Sequence, residues 1–487
     1  MGTGGPQLTR KQQVGGRIES TPGTAETLTA FDFKSRIIVG AAAEYDAPRD
    51  PRDIARATFT NLGSSESTKA NKISVDTEIN TPDAFDIAAT AEMDVDTVLW
   101  QSGNIIRYTF AGTPDITAVL AGDYFTCNYE DSAINDGTFK IHAVNSGSYY
   151  IDVINRLRTS AADDTAATST GIGNIQAAFE HSWMMECAGC HIKGLSRIAI
   201  GAVSSGPYQF GETLTQAVSG ATGKCIIPAK NGDSYIYFQP LTGKMVTTQA
   251  ITGGDSSASA TSSGGPVVHG LTAEPISDCF EVATVEWQED GYAMSARSAM
   301  ANMTAEMPAN KRGIMSFSFD GPRSANGDKA LTTGITRYQE DPPVMKTANL
   351  KLNAPTDDFE PVFSNVGLDL GNAVVLRQNG NASDDTGFEG ARIGKRDPKI
   401  TLTLEHELAA TFDFFGKYDA GTKVKLEYHI GTTEAKQFWF FAPELEFQAL
   451  PMNDDEGIRK LDLEASLTGN AGNTTGDDEW LMAWVGD

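Results

Sequence analysis

Apolar and polar positions alternate with period two through much of this chain, the spacing of strands with one face in a core and one toward water. Val424, Leu426, Tyr428 and Ile430 alternate with Lys423, Lys425, Glu427 and His429. Ile400, Leu402 and Leu404 alternate with Thr401, Thr403 and Glu405, and Met315, Phe317 and Phe319 with Ser316 and Ser318. Ala283, Val285 and Trp287, and then Leu461, Leu463, Ala465 and Leu467, repeat the pattern. Gly, Asn, Asp or Pro bounds each run, as turns require. The pattern predicts a mainly β, antiparallel protein.

One segment breaks the period. From about Glu405 to Tyr418, Leu408, Phe412 and Phe415 recur at helical spacing beside Ala409. Glu405 and Glu407 near its start and Lys417 near its end suit the helix dipole, and Gly421 supplies a stop. This predicts one helix packed on the strands. The Ala- and acid-rich stretch Thr81–Asp96 predicts a second, short one.

Two stretches differ from their surroundings. Between about Val98 and Gly171, short strand signals (Asp115–Thr117, Gly122–Phe125, Asn135–Phe139, Ile141–Val144, Tyr150–Val153) are separated by Gly/Asn turns. A Thr/Ser/Ala/Asp-rich tether follows at Thr159–Thr170. Between about Val203 and Gly265 there is an internal echo, Thr213–Gly220 against Thr247–Gly254, and a Ser/Thr/Ala/Gly-rich end. Both read as small β-modules inserted into something larger.

Composition narrows the function. The chain has 487 residues, with 38 Lys+Arg against 64 Asp+Glu, a net charge of −26. Such a chain is a poor nucleic-acid binder, because gripping phosphates needs local cations; it is suited to bordering DNA without holding it. The N-terminus has no apolar signal-peptide core and no run reaches the roughly 18–20 apolar residues of a membrane span. Five cysteines do not suggest a disulfide framework, so assembly in a reducing cytoplasm is expected.

The sharpest chemical motif is Cys187-Ala188-Gly189-Cys190-His191, the spacing of c-type haem attachment. The absence of an export signal argues against haem, and the bland alternative is a strand or turn packing Cys as a small hydrophobe. Cys127, Cys225 and Cys279 are scattered, and His142, His181, His269, His406 and His429 isolated, so no four-ligand zinc set forms. Asn453–Gly457 lacks the spacing of a calcium loop. No nucleophile elbow, metalloprotease, phosphate-loop or dinucleotide motif occurs. No cofactor, metal or enzymatic activity is expected. Arg49, Arg52 and Arg56 lie among Asp50 and Asp53, and Lys395-Arg396-Asp397-Pro398 is a second mixed-charge spot. Mixed charge favours protein partners over DNA.

Taken in order, several short segments resemble the major tail (tail tube) proteins of long, non-contractile-tailed bacteriophages. They are Leu8–Gln12 with Arg17–Thr24, Arg56–Gly63 followed by Lys72–Ile79, and Met184–Cys190. Further on come Gly291–Met300, Met315–Gly321, Leu368–Asn372 with Val375 and Arg377, Arg396–Pro398, the Leu408–Phe415 segment and Asp454–Gly457. The carrying residues include Gly63, Asp369, Gly371, Asn372, Arg396, Asp397 and Pro398.

The resemblance implies a tail-tube β-sandwich or partial barrel with one flanking helix and two inserted β-modules. It divides the chain into a tube domain at 1–97, 176–202 and 266–487, interrupted by modules at 98–175 and 203–265. It implies an inter-ring loop at about 41–72, ordered only on assembly and contacting the next ring through Arg49, Arg52 and Arg56. It further implies six-subunit rings stacked into a virion tube assembled in the host cytoplasm. The partners would be other copies of the chain and the tape-measure, tail-tip and tail-terminator proteins, with double-stranded DNA passing without adhesion and no membrane. Other readings are a tail-tip, capsid or decoration protein, a host-surface-binding protein and, most remotely, a c-type haem protein.

Overall fold

A computed structural model describes residues 12–486, except 34–40, 53–61, 67, 80–92, 118, 129–136, 156–160, 162–170, 177–180, 244, 278–279, 336–342, 344, 347, 353–358, 382–383, 432–435 and 471–475. The alternating runs form strands Ala283–Glu289, Ile314–Asp328, Lys399–Glu405, Val424–Ile430 and Ile458–Thr468. In Ile458–Thr468, Leu461, Leu463, Ala465 and Leu467 are buried while Asp462, Glu464 and Ser466 between them are half-buried. The protein is mainly β, as the alternation predicts, with a sheet curled into a half-barrel.

Antiparallel pairing joins Gln12–Ile18, Ala283–Glu289, Tyr292–Pro308, Ile314–Asp328, Ala70–Glu78 and Ala42–Asp46 in that order. From Tyr292–Pro308 the sheet also runs through Phe363–Asp369, Lys399–Glu405, Ile458–Thr468, Gln437–Ala449, Leu481–Val485 and Val267–Pro275 to Cys190–Ala199. Tyr292–Pro308 serves both branches because it is bulged: its register shifts between Ala296 and Met300, and Ser298 takes φ +42°. The Glu19 carboxylate, itself buried, accepts from Ser298 N at 2.6 Å and holds the bulge.

Strand Gln437–Ala449 carries a continuous apolar run. Phe438, Phe440 and Ala442 enter the main core, while Trp439 and Phe441 pack on the opposite face with Ile226, Ile227 and Tyr237 of the second insert. A strand apolar on both faces is a strand covered on both.

The first insert is a closed six-stranded barrel of Met93–Ser102, Ile105–Phe110, Tyr124–Asn128, Gly137–Asn145, Tyr150–Ile154 and Gly171–Gln176. Val98, Ile106, Tyr108, Phe125 and Ile151 fill it. It docks on the main body through Tyr124, which joins the main core, and through Lys140, whose Nζ lies 2.8 Å from Glu186. The second insert extends the main sheet, since Tyr235–Thr242 pairs with Cys190–Ala199.

Several expectations need correction. The predicted helix from Glu405 to Tyr418 is one short helix, Phe414–Asp419, after the strand that ends at Glu405. Asp413 caps it by accepting from Gly416 N, and Gly421 at φ +61° follows it. Phe412 and Phe414 are the buried residues, whereas Leu408 is 75% exposed, so the helical spacing was coincidental. A second helix, Ser182–Cys187, leads into the cysteine motif and ends at its first residue; Ala188 and Gly189 form a turn, strand begins at Cys190, and both cysteines are buried, in keeping with the strand-or-turn reading. Of the expected helix at Thr81–Asp96, Met93–Asp96 is strand and the rest lies outside the described residues. Asp115–Thr117 is a turn, with Asp115 accepting from Thr117 N and Oγ1.

The echo in the second insert is real, but its register is different. Hairpin Thr213–Ile227 matches Ala250–Thr261 at an offset of 37, with Leu214 against Ile251, Ala221 against Ala258 and the positive-φ turn residue Gly220 against Ser257. The two units pair about Thr215↔Thr252. Their turns are held reciprocally: Glu212 accepts from Ser256 N, and Gln249 from Ser219 N.

Candidate assembly site

Four of the motif residues, Asp369, Gly371, Asn372 and Asp397, meet at one knot, in which Asn372 is buried while Asp369 and Asp397 are exposed. At the end of strand Phe363–Asp369, the Asp369 carboxylate accepts from Gly371 N at 2.8 Å and from Asn302 Nδ2 at 2.9 Å. Gly371 has φ +61°, and a β-carbon there would collide with the Asp397 carbonyl, so glycine is required for both conformation and space. Asn372, 7% exposed, donates Nδ2 to the carbonyls of Ala188 at 2.7 Å and Ala301 at 3.2 Å, and its N–H reaches Asn302 Oδ1. Ala188 is in the turn between the two cysteines. Asp369, Gly371, Asn372 and Asp397 thus tie that turn to two strands of the main sheet.

Arg396 serves a neighbouring junction. It donates to the Ile276 carbonyl at 3.0 Å and to Asp477 and Glu479 at 3.1 and 3.2 Å, pinning the segment before the last strand. The Pro398 carbonyl accepts from Leu467 N at 2.9 Å. Glu19 is a third hub, with Gly23, Thr284 and Ser298 as donors. In the sequence Glu19 is one residue of the Arg17–Thr24 segment, and nothing in its neighbours marks it as the cap of a bulge some 280 positions away.

Arg49, Arg52 and Gly63 lie in a separate element. Beyond the paired strands Ala42–Asp46 and Ala70–Glu78, the chain continues into a two-stranded hairpin of Arg49–Arg52 and Leu62–Glu66. The loop expected to order only on assembly therefore has a paired β stem in the single chain. Arg56 lies outside the described residues. Strand Ala42–Asp46 is exposed or half-exposed at every residue and, among the described strands, pairs only with Ala70–Glu78. Its other edge therefore has no strand partner among the described residues, and an unpaired edge can accept a further strand.

The cysteine motif sits in the wrong environment for haem chemistry. Cys187 and Cys190 are in the main core, and burial pushes both thiols well above the ordinary range, which keeps them protonated and unreactive. His191 faces the other side of its strand, where burial first and Lys193 second pull it down to about 4. Among the described residues no group of three or more His, Cys, Asp or Glu is placed to hold a metal ion. Among them no helix is long and apolar enough to cross a membrane. No protein-family model matches the chain, and no curated protein matches it.

Proposed function

We propose that the chain is a virion structural protein, a tail-tube subunit that stacks as six-membered rings into the conduit for a phage genome. The observation that carries this reading is the exposed strand Ala42–Asp46, whose second edge has no partner among the described strands and which leads into the hairpin of Arg49–Arg52 and Leu62–Glu66. Such an edge invites aggregation in a monomer and becomes an interface when subunits join their sheets around a ring. The curled sheet is of the kind the family resemblance implies, and four of the motif residues, Asp369, Gly371, Asn372 and Asp397, meet at one structural knot. The role is passive, with no catalysis. Its partners are other copies of the chain and the tail-tip, terminator and tape-measure proteins. A charge of −26 per subunit disfavours adhesion of the DNA that passes.

Replacing residues 49–66 by a short turn tests the reading. The expected product is a folded subunit, with the Ala42–Asp46 pairing intact, that no longer stacks when tail-tip initiators are supplied. Undiminished filament formation by this variant contradicts the proposed role of the hairpin.

A further inference from the structure

An asparagine followed by glycine can modify itself, because the glycine N–H, with no β-carbon beside it, is able to approach the asparagine side-chain carbon. The chain has three such pairs, Asn231-Gly232, Asn326-Gly327 and Asn379-Gly380. They are equal as sequence, and the fold makes them unequal. Asn326 and Gly327 lie in strand Ile314–Asp328, opposite Met294 and Ala293. Asn326 Oδ1 accepts from the Nδ2 of buried Asn71 at 2.7 Å, and Asn326 Nδ2 donates to Asn71 Oδ1 at 3.3 Å. Turning its side chain onto Gly327 N would break both bonds and the strand. Asn379 is held at the neck of a turn: its Oδ1 accepts from Asn381 N at 2.9 Å, and its own N donates to the Gly387 carbonyl at 2.9 Å.

Asn231 and Gly232 are the two middle residues of a turn in the second insert, between strands Thr222–Ile227 and Tyr235–Thr242. The ends of the turn are fixed: Asp233 N donates to the Lys230 carbonyl at 3.1 Å, and Asp233 Oδ2 accepts from Lys230 N at 2.8 Å. Between these bonds both middle residues are exposed. Neither the Asn231 side chain nor the Gly232 N–H has a hydrogen-bond partner among the described residues. No atom lies within 4 Å of where a β-carbon on Gly232 would stand. The two groups that must react are therefore free and unhindered, and water has open access to both.

We propose that Asn231 is a site of spontaneous conversion to aspartate and isoaspartate through a cyclic imide. Gly232 N gives up its proton to water or hydroxide and attacks Asn231 Cγ. The N–Cγ bond forms, the Cγ–Nδ2 bond breaks, and the side-chain amide leaves as ammonia. Water then opens the ring. Cleavage at the Cγ–N bond gives aspartate; cleavage at the main-chain carbonyl gives isoaspartate, in which the former side-chain carbons carry the backbone. Neither step is a redox step. Each conversion adds one negative charge beside Asp233, and isoaspartate lengthens by one backbone atom the span that the Asp233-to-Lys230 bond closes. The proposal does not depend on the tail-tube reading, because it is read on the unassembled subunit.

The test incubates the full chain in warm, mildly alkaline buffer made with heavy-oxygen water, once folded and once unfolded in urea. Peptide mapping with electron-transfer fragmentation follows each asparagine and separates aspartate from isoaspartate; labelling by an isoaspartyl methyltransferase gives a second readout. In the folded chain Asn231 should convert at least tenfold faster than Asn326 and Asn379, with isoaspartate among its products. In urea the three rates should converge to within severalfold, because only the fold separates them. Asn231→Gln, whose longer side chain cannot close the five-membered ring, should lose methyltransferase labelling of that peptide while keeping the wild-type melting transition. Three outcomes overturn the proposal: Asn231 stays intact in the folded chain while it converts in urea, Asn326 or Asn379 keeps pace with it in the folded chain, or aspartate forms without isoaspartate.

Discussion

Asn372→Ala offers the sharpest mutational test of the motif knot. The Asn372 amide is buried and donates at 2.7 Å to the Ala188 carbonyl and at 3.2 Å to the Ala301 carbonyl. Alanine removes both donors and admits no water through a 7% exposed site. Orphaning a buried carbonyl costs about 1–3 kcal/mol; the second bond is the longer, so the expected loss is about 2–4 kcal/mol. Asn372→Asp should lose at least as much, because a carboxylate has no donor and faces two carbonyl dipoles. The assay is urea unfolding followed by fluorescence of the buried Trp480 and Trp484, with hydrogen exchange to locate the opening. The first amides to lose protection should be those near Ala188 and at the start of strand Cys190–Ala199. A loss below about 0.5 kcal/mol, the scale of an ordinary surface substitution, would refute the knot.

Other perturbations probe other links. Gly371→Ala should cost at least the ~1–2 kcal/mol of a left-handed L-residue, and more through collision with the Asp397 backbone, read by the same unfolding assay. Glu186→Gln leaves Lys140 half of a broken buried pair and should cost about 3–5 kcal/mol, seen as selective loss of exchange protection in the barrel, whereas a paired Lys140→Met/Glu186→Leu change should largely restore it. His191 and His429 both have folded pKa values of about 4 against an ordinary 6.5. In that interval the unfolded chain binds more protons, so stability is full above 6.5 and falls as pH drops toward 4. Each should contribute on the order of 1 kcal/mol per pH unit to the decline. His429→Phe should flatten the melting-temperature profile between pH 6.5 and 4.5, above the range where Glu274, held down to about 2, begins to contribute.

The strands were legible because their burial follows a local period. Val424–Ile430 and Ile458–Thr468 each face one core, and alternation reports that directly. The helix at Glu405–Tyr418 misled because Leu408, Phe412 and Phe415 have the right spacing but no common partner: Phe412 packs on Phe359 and Phe414, while Leu408 points to solvent. The echo was misaligned because Thr-Gln-Ala recurs one way while the hairpins repeat another, and only backbone pairing reveals which residues share a turn. The motif residues around Asp369 and Arg396 were visible, but the bond from Asn372 to the Ala188 turn joins positions nearly two hundred apart, and Arg396 serves a separate junction. The ring stack of His429, Trp439 and Phe441 left no sequence signal beyond the two-faced apolar run Phe438–Ala442, since Asn349, His429 and Trp439 become neighbours only through strand register.

Cryo-electron microscopy of the purified subunit with tail-tip initiators tests the central claim most directly. The tail-tube account predicts hollow filaments of stacked rings, six copies each, with strand Ala42–Asp46 gaining a neighbouring strand and the Arg49–Glu66 hairpin reaching the adjacent ring. A single-chain particle that stays monomeric under these conditions, or an assembly in which that strand edge remains open to solvent, would contradict it.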